Sequence, residues 1–389
     1  MASSKGTPRR SLVPLIVMLA ITAVAVAGFF VCTSMANRYT EQARAELQEQ
    51  QAEAEAINTQ IYEAYVEEVE AYNEQMMARE SGANEAWPTP AGEGWEIVDL
   101  TNYPLENSYD VTMTRQETMY NGMLLVNEWH SRPDDFSEGT LVSLSSYSSH
   151  AIGVKDSSVK LFEEPAKALW DLVVAAKAAG MENYVIYDGY RTWDEQNELF
   201  QKRLTTVRKD HPNYSEERLI EVARRAVNYP GTSSYNGGNT FRVILYKRGD
   251  STVNSKEFFE CDEGLWFLEH CWEYGIVFRF QLADYPVKGA TDKSYKTGVS
   301  SKLQTFTYVG KGNAAVMNAL DLCVEEYIEY LMEHPHIAVF ENGTLKYEIY
   351  RQQVGDAESF QVSMVGNSRV RNTVTSLDNM GYVITVFEY

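Results

Sequence analysis

The chain has 389 residues, enough for one large domain with appendages or for about two or three average ones, and it carries a formal net charge of −21. So large an excess of carboxylates repels phosphate backbones and no basic patch interrupts it, which excludes a nucleic-acid-binding protein. Four cysteines without paired CxxC spacing exclude a zinc ribbon, and leave Cys261 and Cys271 either to pair outside the cell or to pack as thiols.

From the N-terminus, residues 12–32 form an almost unbroken apolar run, about the twenty residues that a helix needs to cross a hydrocarbon core. Lys5, Arg9 and Arg10 precede it. The positive-inside bias therefore predicts a cytoplasmic tail over 1–11, a single membrane span over 12–33 and an extracellular remainder. A cleaved signal peptide is the competing reading, with Ser34-Met35-Ala36 as its cleavage site, but the apolar run is long for one. Residues 34–80 come next. Between Tyr39 and Glu80 they are rich in Glu, Gln and Ala and free of Pro and Gly, which predicts a helical stalk. Tyr62, Tyr65, Val69, Tyr72 and Met76 follow coiled-coil spacing, so the stalk is expected either to pair with a second copy as a homodimer or to stand as a solvated helix. Gly82, Pro88, Pro90, Gly92 and Gly94 mark 81–94 as a linker.

Over 95–335 the composition is that of a mixed α/β domain. Residues 159–180 place Leu161, Ala166, Leu169, Trp170, Val173, Val174 and Ala176 at helical spacing, with Gly180 as the stop. Tyr184-Val185-Ile186-Tyr187 then reads as a strand and Asp188-Gly189 as a turn. Thr192 is the expected N-cap of the next helix, and Glu195 completes a capping box. Helical spacing returns over 216–227. The stretch 229–239 is dense in Gly, Ser and Asn and feeds an apolar, β-branched strand over 240–245, a junction of the kind that presents a site on a rigid scaffold. His334-Pro335-His336 reads as a surface loop, since no third ligand accompanies the pair. His130, His150 and His211 lie in polar loops, and His270 beside Trp266 reads as a packed or capping residue. In 336–389, residues 346–351, 359–365 and 381–388 alternate as strands, either extending the main sheet or forming a separate β appendage.

Several of these segments, in order, resemble signatures of the zinc D-alanyl-D-alanine carboxypeptidase family (VanY-like, peptidase family M15). Asn121-Gly122-Met123-Leu124-Leu125-Val126-Asn127 with Arg132-Pro133-Asp134-Asp135-Phe136 is similar to its short "LVN" strand and the turn after it. Gly189-Tyr190-Arg191-Thr192 with Gln196 and Leu199-Phe200 is similar to its "S-G-Y-R-S" segment, with Asp188 in place of the Ser. Pro230, Gly231, Ser233 and Gly238 match its "P-G-x-S-x-H-x-x-G-x-A-x-D" loop. Trp266-Phe267 through Tyr274-Gly275 to Arg279-Phe280, then Thr297-Gly298 and Tyr308-Val309-Gly310, frame its last two motifs. Val324-Glu325-Glu326-Tyr327-Ile328 resembles its closing helix. The resemblance spans 120–332 and implies an α+β fold, an antiparallel sheet flanked by helices.

Within that frame, Tyr235, Arg242 and Thr305 stand where the family has its zinc-binding His, Asp and His, and Lys302 stands at its general-base glutamate. The family's metal polarises the scissile carbonyl and acidifies its bound water while the glutamate takes the proton. A catalytic zinc needs about three His, Cys, Asp or Glu ligands, which Tyr, Arg and Thr do not supply. No catalytic residue, metal ligand or cofactor is therefore expected here, although zinc is expected for the family. The resemblance places Arg191 and Gln196 at the substrate cleft. The expected ligand-binding set is Arg191, Gln196, Ser233, Tyr235, Arg242, Lys302 and Thr305. Cations grouped in such a cleft suit a carboxylate-ended peptide. The expected function is a membrane-anchored extracellular pseudopeptidase that holds peptidoglycan stem peptides, or a related peptide, uncut. Two other readings stay open: an active D,D-carboxypeptidase with rearranged metal ligands, and an assembly protein acting through the stalk and C-terminal strands.

Overall fold

The computed structural model describes residues 13–82, 86–146 and 152–389. The chain divides into two units, residues 1–75 and 76–389. The first is the body of one continuous helix, Val13–Gly82. Pro14 is tolerated in its first turn, where the missing N–H has no intrahelical partner to lose. Tyr62, Tyr65 and Val69 of the predicted seam are exposed, whereas the side chains of Tyr72 and Met76 lie outside the described residues. Among the described residues no helix is long and apolar enough to cross a membrane. The predicted span over 12–33 lies in part outside those residues.

The second unit holds two five-stranded sheets. In the central one the order is Gly153–Val154, Tyr184–Asp188, Thr240–Leu245, Thr305–Tyr308, Ile276–Phe278, antiparallel except for the first pair. Alternation along Thr240–Leu245 sends Phe241, Val243 and Leu245 into a core shared with Leu169, Leu172, Phe267 and Phe306, and leaves Arg242 exposed on the opposite face. The helix that covers this core, Glu163–Ala178, starts later than its periodicity predicts. Lys160–Leu161 instead pairs with Val142–Ser143, and Pro165 sits in the first turn of the helix, where proline is favoured.

The second sheet is wholly antiparallel, in the order Trp95–Asp99, His336–Glu341, Thr344–Gln353, Tyr382–Glu388, Asn372–Leu377. The C-terminal strands thus pair with the first strand of the domain and not with the central sheet, and Ser359–Met364 pairs separately with Tyr109–Thr114. His336 opens one of these strands instead of lying in a surface loop. It is fully buried, with Nε2 2.9 Å from a Glu348 carboxylate oxygen on the adjacent strand and Nδ1 2.8 Å from the Tyr103 carbonyl.

The segment predicted as an "LVN" strand is irregular. Its anchor is Asn127, whose side-chain amide donates 3.0 Å to Glu325, the carboxylate that takes both Arg279 guanidinium nitrogens at 2.9 and 2.6 Å. All three side chains are buried. Cys32, Cys261, Cys271 and Cys323 are free thiols.

Candidate functional site

The site starts from the loop that the sequence marks by its glycines. Ser234–Gly237 forms one tight turn and Gly238 follows at φ +77°. A Cβ on Gly238 would lie 2.3 Å from the Phe162 ring, so both the turn and the close approach demand glycine. Asn236 closes the loop, its side-chain oxygen accepting from Gly231 N–H at 3.2 Å and its amide donating to the Arg191 carbonyl at 2.7 Å. Ser233 is buried just before the turn, and its carbonyl accepts from Asn236 N–H at 2.8 Å.

This turn delivers Tyr235 to the central sheet, where Asp188, Arg242 and Thr305 form one row across three adjacent strands. The Tyr235 hydroxyl and Thr305 Oγ1 share a hydrogen bond of 3.0 Å, with both residues buried. Burial pushes the Tyr235 hydroxyl up to about 12, and the nearby Arg191 charge offsets part of that rise. The phenol therefore stays protonated at neutral pH and acts as a hydrogen-bonding group, not as an anionic ligand. Arg191 lies over the same ring, its guanidinium carbon 4.0 Å from the centroid. Its charge is taken by Asp188, with which it forms an ion pair, and it donates to Gln196 Oε1 at 3.2 Å. Gln196 is buried and spends its own amide on the Asn228 carbonyl at 2.8 Å.

The two remaining predicted residues border a cavity of about 410 Å³ next to this row. The Arg242 guanidinium lies 5.2 Å over the Tyr187 ring and the Lys302 ammonium 5.5 Å over the Tyr285 ring. Glu257, Glu260 and Asp284 line the same cavity.

The structure therefore hydrogen-bonds Arg191 to Gln196 and Tyr235 to Thr305, stacks Arg191 on the Tyr235 ring, keeps Ser233 in the loop just before Tyr235, and places Arg242 and Lys302 at the cavity. Sequence reasoning left out Tyr187, one residue before a family motif, and Tyr285 and the cavity's carboxylates, which lie in segments without one. Asp188 carried a visible signal, a carboxylate three positions before an arginine at a family serine.

The donor set does not fit the zinc that the family implies. The row together with Tyr235 offers two hydroxyls, a guanidinium and one carboxylate already paired with Arg191. Among the described residues, no three His, Cys, Asp or Glu side chains come together as a group that could hold a metal ion.

Residues 158–301 match the model of the VanY D-alanyl-D-alanine carboxypeptidase family. A D-alanyl-D-alanine carboxypeptidase of Enterococcus faecium is 28% identical over 284 residues, covering 72% of this chain and 80% of that protein. The bifunctional D-Ala-D-Ala dipeptidase and D-Ala-D-Ala carboxypeptidase VanXYC of Enterococcus gallinarum is 30% identical over 179 residues, 46% of this chain and 82% of its own. Among solved structures, the vancomycin-resistance D,D-dipeptidase VanXYg in complex with a D-Ala-D-Ala phosphinate analogue shares the fold at a TM-score of 0.54. It is 20% identical, and the match covers 72% of this chain and 99% of that one. Ordered motifs, a shared α+β fold and a bifunctional relative matched over most of its length together mean that this chain belongs to the VanY D-alanyl-D-alanine carboxypeptidase family.

Proposed function

We propose that this protein is a binding member of its family, a pseudopeptidase that holds a peptide by its terminal carboxylate and leaves it uncut. The observation that carries the reading is the hydroxyl pair of Tyr235 and Thr305 in the row that also bears Arg242. Hydrolysis of a peptide bond requires an agent that polarises the carbonyl and a base that takes a proton from water. A protonated phenol, a threonine hydroxyl and two cationic side chains can hydrogen-bond a carbonyl oxygen, but none of them takes a proton from water. They do suit an anion. The planar guanidinium of Arg242 matches a carboxylate in two-point geometry, and the Lys302 ammonium adds a point charge.

Peptides ending in D-Ala-D-Ala, such as peptidoglycan stem peptides, are the proposed ligands because the Enterococcus relatives named above are D-alanyl-D-alanine carboxypeptidases, one of them also a D-Ala-D-Ala dipeptidase. The apolar run over 12–32 with its preceding basic residues supports a single N-terminal membrane anchor with the rest of the chain outside the cell. Exposed Tyr62, Tyr65 and Val69 support a homodimer through the stalk.

Calorimetry with acetyl-D-Ala-D-Ala tests the reading. Saturable binding that weakens about tenfold or more in Arg242→Ala, without release of D-Ala, is the expected result. Release of D-Ala that a chelator stops, or the absence of any binding, overturns it.

A further inference from the structure

A second cavity, of about 260 Å³, lies on the face of the central sheet away from Arg242. Alternation along Thr305–Tyr308 turns Thr305 toward Tyr235 and sends Tyr308 to the other side, where it joins the core with Leu169 and Phe306. The walls of this cavity are one face of the helix Glu163–Ala178, the start of the helix Lys311–Leu320, and the strands Thr344–Gln353 and Tyr382–Glu388.

Tyr274, Tyr308 and Tyr347 line it, and among the described residues none of their hydroxyls makes a hydrogen bond. Tyr308 is only 9% exposed, so its phenol is removed from water and still finds no partner within the protein. That hydroxyl faces the cavity wall formed by Glu164 and Lys167: burial pushes it up to about 12, Glu164 raises it further and Lys167 draws it back. It stays protonated at neutral pH.

The helix start adds donors. Gly310 at the N-cap has no side chain with which to cap. Asn313 spends its amide on the Val309 carbonyl at 2.6 Å and its oxygen on the Tyr327 hydroxyl at 2.7 Å. The N–H groups of Lys311, Gly312 and Asn313 are therefore left uncapped at the cavity.

Charge decides the class of ligand. Lys167 is spent on Glu163 and Glu164, whereas Lys311, Asp171 and Glu388 line the cavity and make no ion pair among the described residues. An anion meets two free carboxylates there, and a cation meets Lys311 and the positive end of a helix dipole. A neutral ligand rich in hydroxyl groups meets neither penalty. Each of its hydroxyls can donate to a carboxylate and accept from an amide, a phenol or the ammonium group, while tyrosine rings offer flat apolar faces to its C–H side. The volume falls just below the roughly 300–1,000 Å³ of sites for drug-sized ligands, which suits a single ring.

We infer that this cavity binds one neutral sugar ring, with the Lys311–Asn313 amides and the Tyr308 hydroxyl as donors and Asp171 and Glu388 as acceptors. The site is separate from the row at Tyr235 and does not rest on the peptide-binding reading. The ring is either a free sugar or the end unit of a glycan, and the chemistry of recognition is the same for both.

Calorimetry on the full chain, in a detergent without a sugar head group, uses D-glucose, D-galactose, D-mannose and N-acetyl-D-glucosamine, each also as its methyl glycoside. At least one of these sugars is expected to bind saturably. A methyl glycoside that binds as well as its parent identifies the end of a glycan, and one that is excluded identifies a free sugar. Tyr308→Phe, which removes only the hydroxyl, and Asp171→Asn, at an exposed position, are each expected to weaken that binding about tenfold. An absence of binding by every probe overturns the inference, and so does sugar binding that neither substitution weakens. Inorganic phosphate is expected to give no binding heat. Saturable phosphate binding that Tyr308→Phe weakens overturns the neutral ligand in favour of an anion.

Discussion

Tyr235 and Thr305 lie 70 residues apart in the chain, and their side-chain oxygens meet at 3.0 Å inside the central sheet. Each group satisfies the other where water does not reach, so the pair locks the glycine-rich loop to the strand beneath it. Desolvated hydroxyls gain little net energy from pairing and lose much when one partner is removed.

Tyr235→Phe leaves the Thr305 hydroxyl buried without its partner and is expected to cost about 1–3 kcal/mol, measured by urea unfolding. Thr305→Val costs a similar amount from the other side. The double variant is expected to lose less than the sum of the two, because the second change removes the group that the first left stranded. Strict additivity contradicts the pairing.

Alkaline pH probes the same hydroxyl. Its pKa in the folded protein is about 12, above the value of 10.0 for an unperturbed tyrosine. The folded state therefore holds this proton more tightly, and the resulting stability is complete below pH 10 and fades as pH rises toward 12. Unfolding free energy measured across that window is expected to fall less steeply in Tyr235→Phe than in the parent chain. Equal slopes argue against a buried, protonated phenol.

Asp188→Asn releases the Arg191 guanidinium from its ion pair. The pair is partly exposed, so the loss of stability is expected to be modest, about 1 kcal/mol. Binding of acetyl-D-Ala-D-Ala is expected to tighten, since a third cation then stands beside Arg242 and Lys302. Calorimetry that shows weaker or unchanged binding places Arg191 outside the ligand's reach.

Glu325→Ala strands the buried Arg279 guanidinium and removes the partner of Asn127. Breaking such a buried pair from one side costs about 3–5 kcal/mol. A midpoint in urea close to that of the parent chain rules out this cost.

Zinc gives a direct check on the donor set. An ion that binds the folded state raises the midpoint of thermal unfolding by mass action. Addition of zinc, or of a chelator, is expected to leave the midpoint of this chain unchanged. A chelator-reversible rise in the midpoint indicates a ligand set other than the one in the central sheet.

Much of this protein is written in short-range pattern. The helix over 39–80 follows from a stretch without Gly or Pro, and Thr192 with Glu195 forms the capping box that their spacing predicts. The strand over Thr240–Leu245 and the loop before it also lie where local composition puts them. These features depend on residues within a turn or two of each other, so a linear reading reaches them. Which residues meet across the fold is a different matter.

The capture of Arg191 by Asp188 depends on side-chain geometry around a turn. The burial of His336 beside Glu348 depends on antiparallel register, which places side chains of neighbouring strands within reach of each other whatever their local sequence. The first strand, Trp95–Asp99, joins the C-terminal strands through contacts more than two hundred residues apart, and no local periodicity encodes that choice of partner. Local pattern thus specifies many of the helices and strands, though not the irregular segment 121–127 or the strand that His336 opens. Only tertiary structure decided which charges are spent within the protein and which face the cavity, because ion pairing depends on distances that strand register and chain closure create.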